Sequence, residues 1–340
     1  MPKLNVLVAG STGYIGVQLI KLLVKHNKIN IKYLCGNTSI GKDISYYDKS
    51  LKYKKLPKII KFNKKLLNNI DVIFTALPNG QSQEISKNLL HKNTLIDLAA
   101  DFRLKKASDY FKWYKLKHKA PHLIKKSIYA LPEITGKDIK KFQIIGCPGC
   151  YPTSILLPLI PLIKKKLLKL NNIIIDSKSG YSGAGRGVHK KYKDKNLNES
   201  LSAYGVSFHR HNSEIEQTIS KYTKSKFNFT FTPHLSPMFR GILSTIYIDL
   251  NKGKTVNSLY NELIRFYKNS TFVKVIKMNS LISTNDVINT NNCLISVCKS
   301  KYKNKAIILS SIDNLIKGGA GQGVQNMNII KNFNIKEGLK

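Results

Sequence analysis

The apolar run Leu4–Ala9 leads directly into Gly10-Ser11-Thr12-Gly13-Tyr14-Ile15-Gly16, and a helical pattern covers residues 14–25. No other feature constrains the chain as much. A continuous apolar run suits a strand buried in a parallel sheet, and the glycines mark a tight turn into a helix. Gly10 permits the turn, Gly13 lets backbone approach a phosphate, and Gly16 lets the helix pack closely. N–H groups at such a helix start can hold a pyrophosphate. The G-x-x-G-x-x-G spacing is a variant of the dinucleotide fingerprint; the competing reading is an ordinary strand-to-helix turn.

Residues 30–34, 71–76, 94–98 and 143–146 read as further strands, alternating with helical stretches. That alternation predicts an α/β fold with a Rossmann-type, doubly wound parallel sheet. The lysine-rich stretch 43–69 is weakly patterned and reads as a solvated helix or loop excursion. Beyond it the character changes. Residues 173–177, 229–232, 242–250, 272–277, 293–298 and 306–311 read as strands, with helices at 213–224 and 256–268. This predicts a second, α+β domain with a mixed sheet, and residues 321–331 read as helical again. A length of 340 residues fits two domains at roughly 150 residues each.

The second strand discriminates between cofactors. An NAD site places an acid about 20 residues on, for the ribose 2′-hydroxyl. Here Leu34-Cys35-Gly36-Asn37-Thr38-Ser39 is followed by no acid before Asp43. Thr38 and Ser39, with Asn37 and Lys42, suit a 2′-phosphate, so NADP is the expected cofactor even without an arginine there.

Gly146-Cys147-Pro148-Gly149-Cys150-Tyr151-Pro152-Thr153 follows a short strand and precedes an apolar helical run. Cys150 falls at a helix N-terminus, where the dipole favours a thiolate, the form that attacks an activated acyl group. Cys147-x-x-Cys150 also fits a redox pair or half a zinc site. No second CxxC is present, so a catalytic nucleophile is the favoured reading and no metal is expected. Pro158 predicts that the helix is short or kinked. In Phe208-His209-Arg210-His211-Asn212-Ser213-Glu214, Ser213 with Glu216 has capping-box spacing, which starts a helix. His209 or His211 can serve as acid/base for the thiol; from spacing alone a structural role is equally good. His234 is the remaining candidate. His26, His91, His118, His122 and His189 read as surface residues.

Lys and Arg number 57 against 19 Asp and Glu, a formal charge of +38. Such a charge usually suggests a polyanion partner. Only five of these residues are Arg, whereas nucleic-acid readers favour the Arg fork. Lys is spread through the chain with Asn, Ile and Tyr, the mark of a drift towards A+T-rich codons. No specific nucleic-acid partner is expected. An apolar fraction of 42% excludes wholesale disorder. The longest apolar run, 155–163, holds Pro158 and Pro161 and is far short of the roughly 18–20 residues that span a bilayer. No signal or transit pattern is seen, and the cysteines are too few for a disulfide framework, so a cytoplasmic setting is expected.

Pro148-Gly149-Cys150-Tyr151-Pro152-Thr153 with the His-Arg-His segment resembles the N-acetyl-gamma-glutamyl-phosphate reductases of arginine biosynthesis. The resemblance covers nearly the whole chain. It takes in residues 10–16, Leu77-Pro78-Asn79-Gly80, 97–103, Leu131-Pro132-Glu133, 179–186, 233–241 and 313–322. Four of the five arginines lie in these motifs. Cys147 stands where the family usually has Asn, and Ser213 where it has Pro. Cys147 also raises a disulfide with Cys150 as an alternative.

The resemblance implies an NADP-binding domain at 1–149 and 314–340, and a catalytic, dimerising domain at 150–313. It implies a homo-oligomer, an acyl-phosphate substrate and no membrane. Cys150 would form a thioester that NADPH reduces to the semialdehyde, with His209 first, or His211, as proton shuttle. The cofactor would meet residues 10–16, Thr38, Ser39, Leu77, Pro78, Gly183 and Asn314. The substrate would meet Arg103, Arg186, Arg210, Glu214 and Arg240. Aspartate-semialdehyde dehydrogenases share the fold and thiol chemistry, but the His-Arg-His and Pro233-His234-Leu235 segments argue against them. Short-chain dehydrogenases can share the Thr-Gly-Tyr-Ile-Gly start, but they use a Tyr-x-x-x-Lys pair matched only by Tyr222 and Lys226.

Overall fold

A computed structural model describes residues 2–186 and 199–340; His189 lies outside the described residues. The chain divides into two compact units, Met1–Pro148 with Gly319–Lys340, and Gly149–Gly318. The return to the first unit comes after Gly318, so Asn314 falls in the second unit, whereas the resemblance implied the first.

In the first unit the strands are β1 (Leu4–Ala9), β2 (Ile29–Cys35), β3 (Ile59–Ile60), β4 (Val72–Thr75), β5 (Thr94–Asp97), β6 (Ser127–Tyr129) and β7 (Ile144–Gly146). They form one parallel sheet, ordered β3-β2-β1-β4-β5-β7-β6. Val6, Leu7 and Val8 of β1 have no exposed surface, as a strand covered on both faces requires. Helices α1 (Tyr14–Leu23), α2 (Gln81–Ser86), α3 (Ala107–Tyr114) and α4 (Pro132–Thr135) follow in this unit. The lysine-rich excursion 43–69 is not a helix. It makes short 3-10 turns and β3, buries Ile44, Leu51, Ile59 and Leu67, and leaves its lysines in solvent.

Two histidines expected at the surface are buried here. His26 Nε2 lies 2.9 Å from Asn328 Oδ1, and His118 Nε2 lies 2.9 Å from the Asp101 carbonyl. Asn328 comes from the C-terminal helix Gly321–Ile330, whose polar sequence hides its burial. Gln325 donates to Glu133 at 2.9 Å, and Asn326 donates to the Ala130 carbonyl at 3.3 Å. These three buried amides each make at least one hydrogen bond.

The second unit holds β8 (Ile173–Gly180), β9 (Ser202–Ala203), β10 (Phe229–Ser236), β11 (Ile242–Asp249), β12 (Val273–Val275), β13 (Cys293–Lys299) and β14 (Lys305–Ile312). Their order is β12-β13-β14-β11-β8-β10-β9. The sheet is mixed: β8 runs parallel to β10 and antiparallel to β11. Its helices are α5 (Cys150–Lys164), α6 (Asn212–Tyr222) and α7 (Val256–Tyr267). The apolar α5 packs against β11, β14, α6 and α7. It runs for 15 residues through Pro158 and Pro161, so it is not the short helix that was one of the two expectations. Pro161 removes the N–H that the Leu157 carbonyl would accept; the Tyr267 hydroxyl donates to that carbonyl instead, at 2.6 Å. Among the described residues no helix is long and apolar enough to cross a membrane.

Candidate active site

Cys150 is the first residue of α5, and Gly149, in extended conformation, is its N-cap. The first four N–H positions of a helix have no partner inside it. Here the Gly149 N–H donates to the Glu214 carboxylate at 2.8 Å, and Pro152 has no N–H. The other two donors of the set belong to Cys150 and Tyr151. Cys150 is half-buried and not in a disulfide. Its backbone is crowded: a Cβ on Gly318 would lie 2.7 Å from Cys150 Cβ and 3.0 Å from its Cα. Only glycine fits there, which explains part of the glycine run 318–323.

His211 meets this turn directly. A Cβ on Gly149 would lie 2.4 Å from His211 Nε2, and the same nitrogen is 3.8 Å from Glu214 Oε1. Glu214 is fully buried. Its carboxylate faces Gly149 and His211. His209 stands one layer back. Its Nδ1 accepts the His211 N–H at 3.2 Å, and its ring packs edge-on to Tyr151, Tyr204, His211 and Phe231. Burial, with help from the Arg210 charge, pushes the His209 pKa down to about 4. Of the two histidines, it is His211 whose Nε2 meets the turn before Cys150. His234, the third candidate, is 3.1 Å from Asp176, which also takes Lys178 at 2.7 Å.

The capping box expected from Ser213 and Glu216 does not form. The helix is capped by the His211 backbone, and Ser213 Oγ donates back to the Arg210 carbonyl at 2.6 Å. Glu216 points to solvent.

The four arginines separate into two kinds. Arg103 is buried in the first unit; its Nε donates to the Cys147 carbonyl at 2.8 Å and an Nη to the Leu98 carbonyl at 3.2 Å. Arg240 lies 3.5 Å from the buried Asp313 carboxylate and donates to Asn289. These contacts hold backbone and a carboxylate of the chain itself. Arg186 and Arg210 are exposed. Cys147 is buried, accepts from Asn326 at 3.4 Å, and burial pushes its thiol up to about 12. A protonated, covered thiol is a poor redox partner. Among the described residues no three His, Cys, Asp or Glu side chains are placed to hold a metal ion.

In the first unit the glycine turn is bare backbone. Gly10 has φ +85°, and a Cβ there would meet the Ala76 oxygen at 2.3 Å; one on Gly16 would meet the Gly10 oxygen at 2.1 Å. α1 starts after Gly13 with no side-chain cap, so its N-terminus offers N–H groups and positive dipole to an anion. The turn opens on a cavity of about 230 Å³ that Gly36, Asn37, Phe62 and Leu77 also line. The donor set fits the pyrophosphate of a dinucleotide, and the cavity beside it has room for one part of such a molecule. Thr38 is exposed, whereas Ser39 is buried with its hydroxyl against that of Tyr47. Pro78 is exposed and Leu77 half-buried. The loop they start is fixed by Asp101, which accepts from the N–H groups of Gly80, Ser82 and Gln83 and from the Tyr110 hydroxyl. Sequence reasoning missed this cap because donor and acceptor are about 20 residues apart. Gly183 and Asn314 meet inside the second unit. Asn314 donates to Ser182 Oγ at 3.0 Å and accepts the Gly241 N–H at 2.7 Å.

A family model described as the semialdehyde dehydrogenase NAD binding domain matches residues 5–142, and one described as the semialdehyde dehydrogenase dimerisation domain matches 150–314. The chain is 44% identical over 336 residues to the N-acetyl-gamma-glutamyl-phosphate reductase of Clostridium beijerinckii, covering 98% of this chain and 96% of that one. It is 45% identical over 333 residues to that of Thermoanaerobacter pseudethanolicus, covering 97% and 95%. The chain belongs to the N-acetyl-gamma-glutamyl-phosphate reductase family. A plant relative from Oryza sativa, named as a probable chloroplastic reductase, is 39% identical over 338 residues, 99% of this chain and 81% of its own. Among solved structures, the reductase fold matches aspartate semialdehyde dehydrogenase II of Vibrio cholerae with a TM-score of 0.72 at 14% identity, covering 98% and 99%. It also matches the Candida albicans aspartate semialdehyde dehydrogenase solved with NADP, with a TM-score of 0.69 at 18% identity, covering 98% and 99%.

Proposed function

We propose that this reductase converts N-acetyl-gamma-glutamyl phosphate to N-acetyl-glutamate semialdehyde with NADPH, a step of arginine biosynthesis. The observation that carries the proposal is the placement of Cys150 at the start of α5 with His211 and Glu214 drawn onto the preceding residue. His211 takes the thiol proton, and Cys150 Sγ attacks the acyl carbon. The C–S bond forms, the bond from acyl carbon to phosphate oxygen breaks, and phosphate leaves with the electron pair. His211 passes its proton to that departing oxygen. The N–H groups of Cys150 and Tyr151, at the positive end of α5, are assigned to the acyl oxygen while it carries charge. Bound NADPH supplies hydride, the two electrons by which an aldehyde differs from the acyl group. Cys150 leaves as thiolate when the aldehyde is released. Glu214 keeps His211 and the Gly149 turn in register.

Arg210, exposed between the two histidines, and Arg186 are assigned to the anionic groups of the substrate. Residues 10–16, Thr38, Leu77 and Pro78 are assigned to the dinucleotide. A thiolate nucleophile needs a reducing compartment, so a cytoplasmic setting is part of the proposal. So is a homo-oligomer. Ile174 and Tyr247, paired across β8 and β11, are exposed on one face of the second sheet, and a second copy is proposed to cover it. The test is the reverse reaction, in which the chain is given phosphate, NADP and either N-acetyl-glutamate semialdehyde or aspartate semialdehyde. NADPH formation with the first supports the proposal; formation with the second alone moves the chain to the sister chemistry.

A further inference from the structure

We infer that Lys61, just after β3, selects the dinucleotide that carries a 2′-phosphate, a task the sequence assigned to the loop after β2. The inference rests on the NADP reading above.

The loop after β2 offers Asn37, Thr38, Ser39 and Lys42, and two of these are engaged elsewhere. The Ser39 hydroxyl meets that of Tyr47, and the Lys42 ammonium sits 4.2 Å over the Tyr46 ring. The cause is in the backbone. The Gly41 N–H donates to the Ile59 carbonyl at 2.8 Å, and the Ile59 N–H donates to the Lys42 carbonyl at 3.0 Å. The loop therefore folds back onto β3, and Lys42 is not among the residues that line the cavity beside Gly10.

Lys61 directly follows the carboxyl end of β3. The Gly36 N–H donates to the Ile60 carbonyl at 3.1 Å, which brings the residue after β2 beside the residue before Lys61. Gly36, Asn37 and Lys61 line the same cavity as Gly10 of the phosphate-binding turn. In a parallel sheet of this kind the adenosine ribose lies at the end of the second strand. β2 ends on Leu34-Cys35 with no acid to receive a 2′-hydroxyl. A cation beside that position strengthens binding of a 2′-phosphate dianion and gains little from a hydroxyl, which is discrimination by charge. Glu84 is the acid on the cavity wall; it lies 3.0 Å from Lys87 and 3.3 Å from Lys119, which offset its repulsion. The nearby Asp43 carboxylate turns to the Ser45 N–H.

The experiment is calorimetric titration of the purified chain with NADP and with NAD at fixed ionic strength, which reads binding without turnover. Wild type binds NADP at least about tenfold more tightly than NAD. Lys61→Gln loses about tenfold in NADP affinity and keeps its NAD affinity. Lys64→Gln is the control: it removes an exposed lysine that does not line the cavity and leaves both affinities within about twofold, separating a local contact from the general field of +38. A Lys61→Gln chain that keeps the wild-type preference overturns the role of Lys61 and leaves the NADP reading standing. A wild type that binds neither dinucleotide, or both equally, overturns that reading and the inference with it.

Discussion

Gly149 and Glu214 are joined by a 2.8 Å hydrogen bond from backbone N–H to carboxylate across 65 residues of sequence. The acceptor is fully buried, and its other oxygen lies 3.8 Å from His211 Nε2. One carboxylate thus fixes both the turn before Cys150 and the histidine beside it. Glu214→Gln keeps the shape but weakens a charge-assisted bond. It is expected to lower kcat by about 10- to 100-fold with KM within about threefold. A rise in KM at unchanged kcat would contradict the orienting role and return Glu214 to the substrate.

The two histidines separate by variant and by pH. His211→Ala is expected to lower kcat by about 10²- to 10⁴-fold, and His209→Phe, which keeps the ring packing, by less than about tenfold. The His209 value is depressed from 6.5 to about 4. Between those values the unfolded chain binds the extra proton, so stability falls as pH falls, by up to about 1.4 kcal/mol per pH unit from this residue. Asp97, pushed up to about 6 by burial and by Asp101, acts in the opposite direction, because there the folded chain holds the extra proton. The comparison is therefore between wild type and His209→Phe in urea unfolding from pH 4 to 6.5. The variant loses less stability on acidification; equal slopes would speak against a neutral, buried His209.

Thiol reactivity follows position in the fold. Burial pushes Cys35 and Cys147 up to about 12, whereas Cys150 is half-buried at a helix N-terminus. Iodoacetamide near neutral pH should modify Cys150 well before Cys147 or Cys35, as read by peptide mass spectrometry. Equal labelling of Cys147 and Cys150 would revive the redox pair.

Tyr267 replaces a helical donor that Pro161 cannot supply. Tyr267→Phe leaves the Leu157 carbonyl without that hydroxyl and is expected to cost about 1–3 kcal/mol in urea unfolding. A loss under about 0.5 kcal/mol would mean that the carbonyl finds another partner.

Much of this was legible before any coordinates. The run Leu4–Ala9 and the glycines behind it announce the central strand and its turn, because burial on both faces leaves no polar alternation. The shift to closely spaced strands announces the mixed sheet. The strands that escaped, β3, β6 and β9, have two or three residues each, too few to show a period. The capping box expected of Ser213 and Glu216 fails for a different reason: it is a local pattern, and Ser213 Oγ instead turns back to the Arg210 carbonyl. The contact of Glu214 with Gly149 joins residues 65 apart in sequence, beyond the reach of any local pattern. Arg103 illustrates the same limit: sequence marks an arginine but not that backbone carbonyls take its guanidinium. The choice between His209 and His211 needed the Gly149 contact, which two residues of spacing do not encode.

The central claim is that Cys150 carries the acyl group. The direct measurement is the rate of NADPH formation from N-acetyl-glutamate semialdehyde, phosphate and NADP by wild type and by Cys150→Ser, with NADP affinity measured on both. The account predicts a loss of about 10³-fold or more at unchanged affinity. A serine variant within about tenfold of wild type would contradict it, because no thioester could then lie on the path.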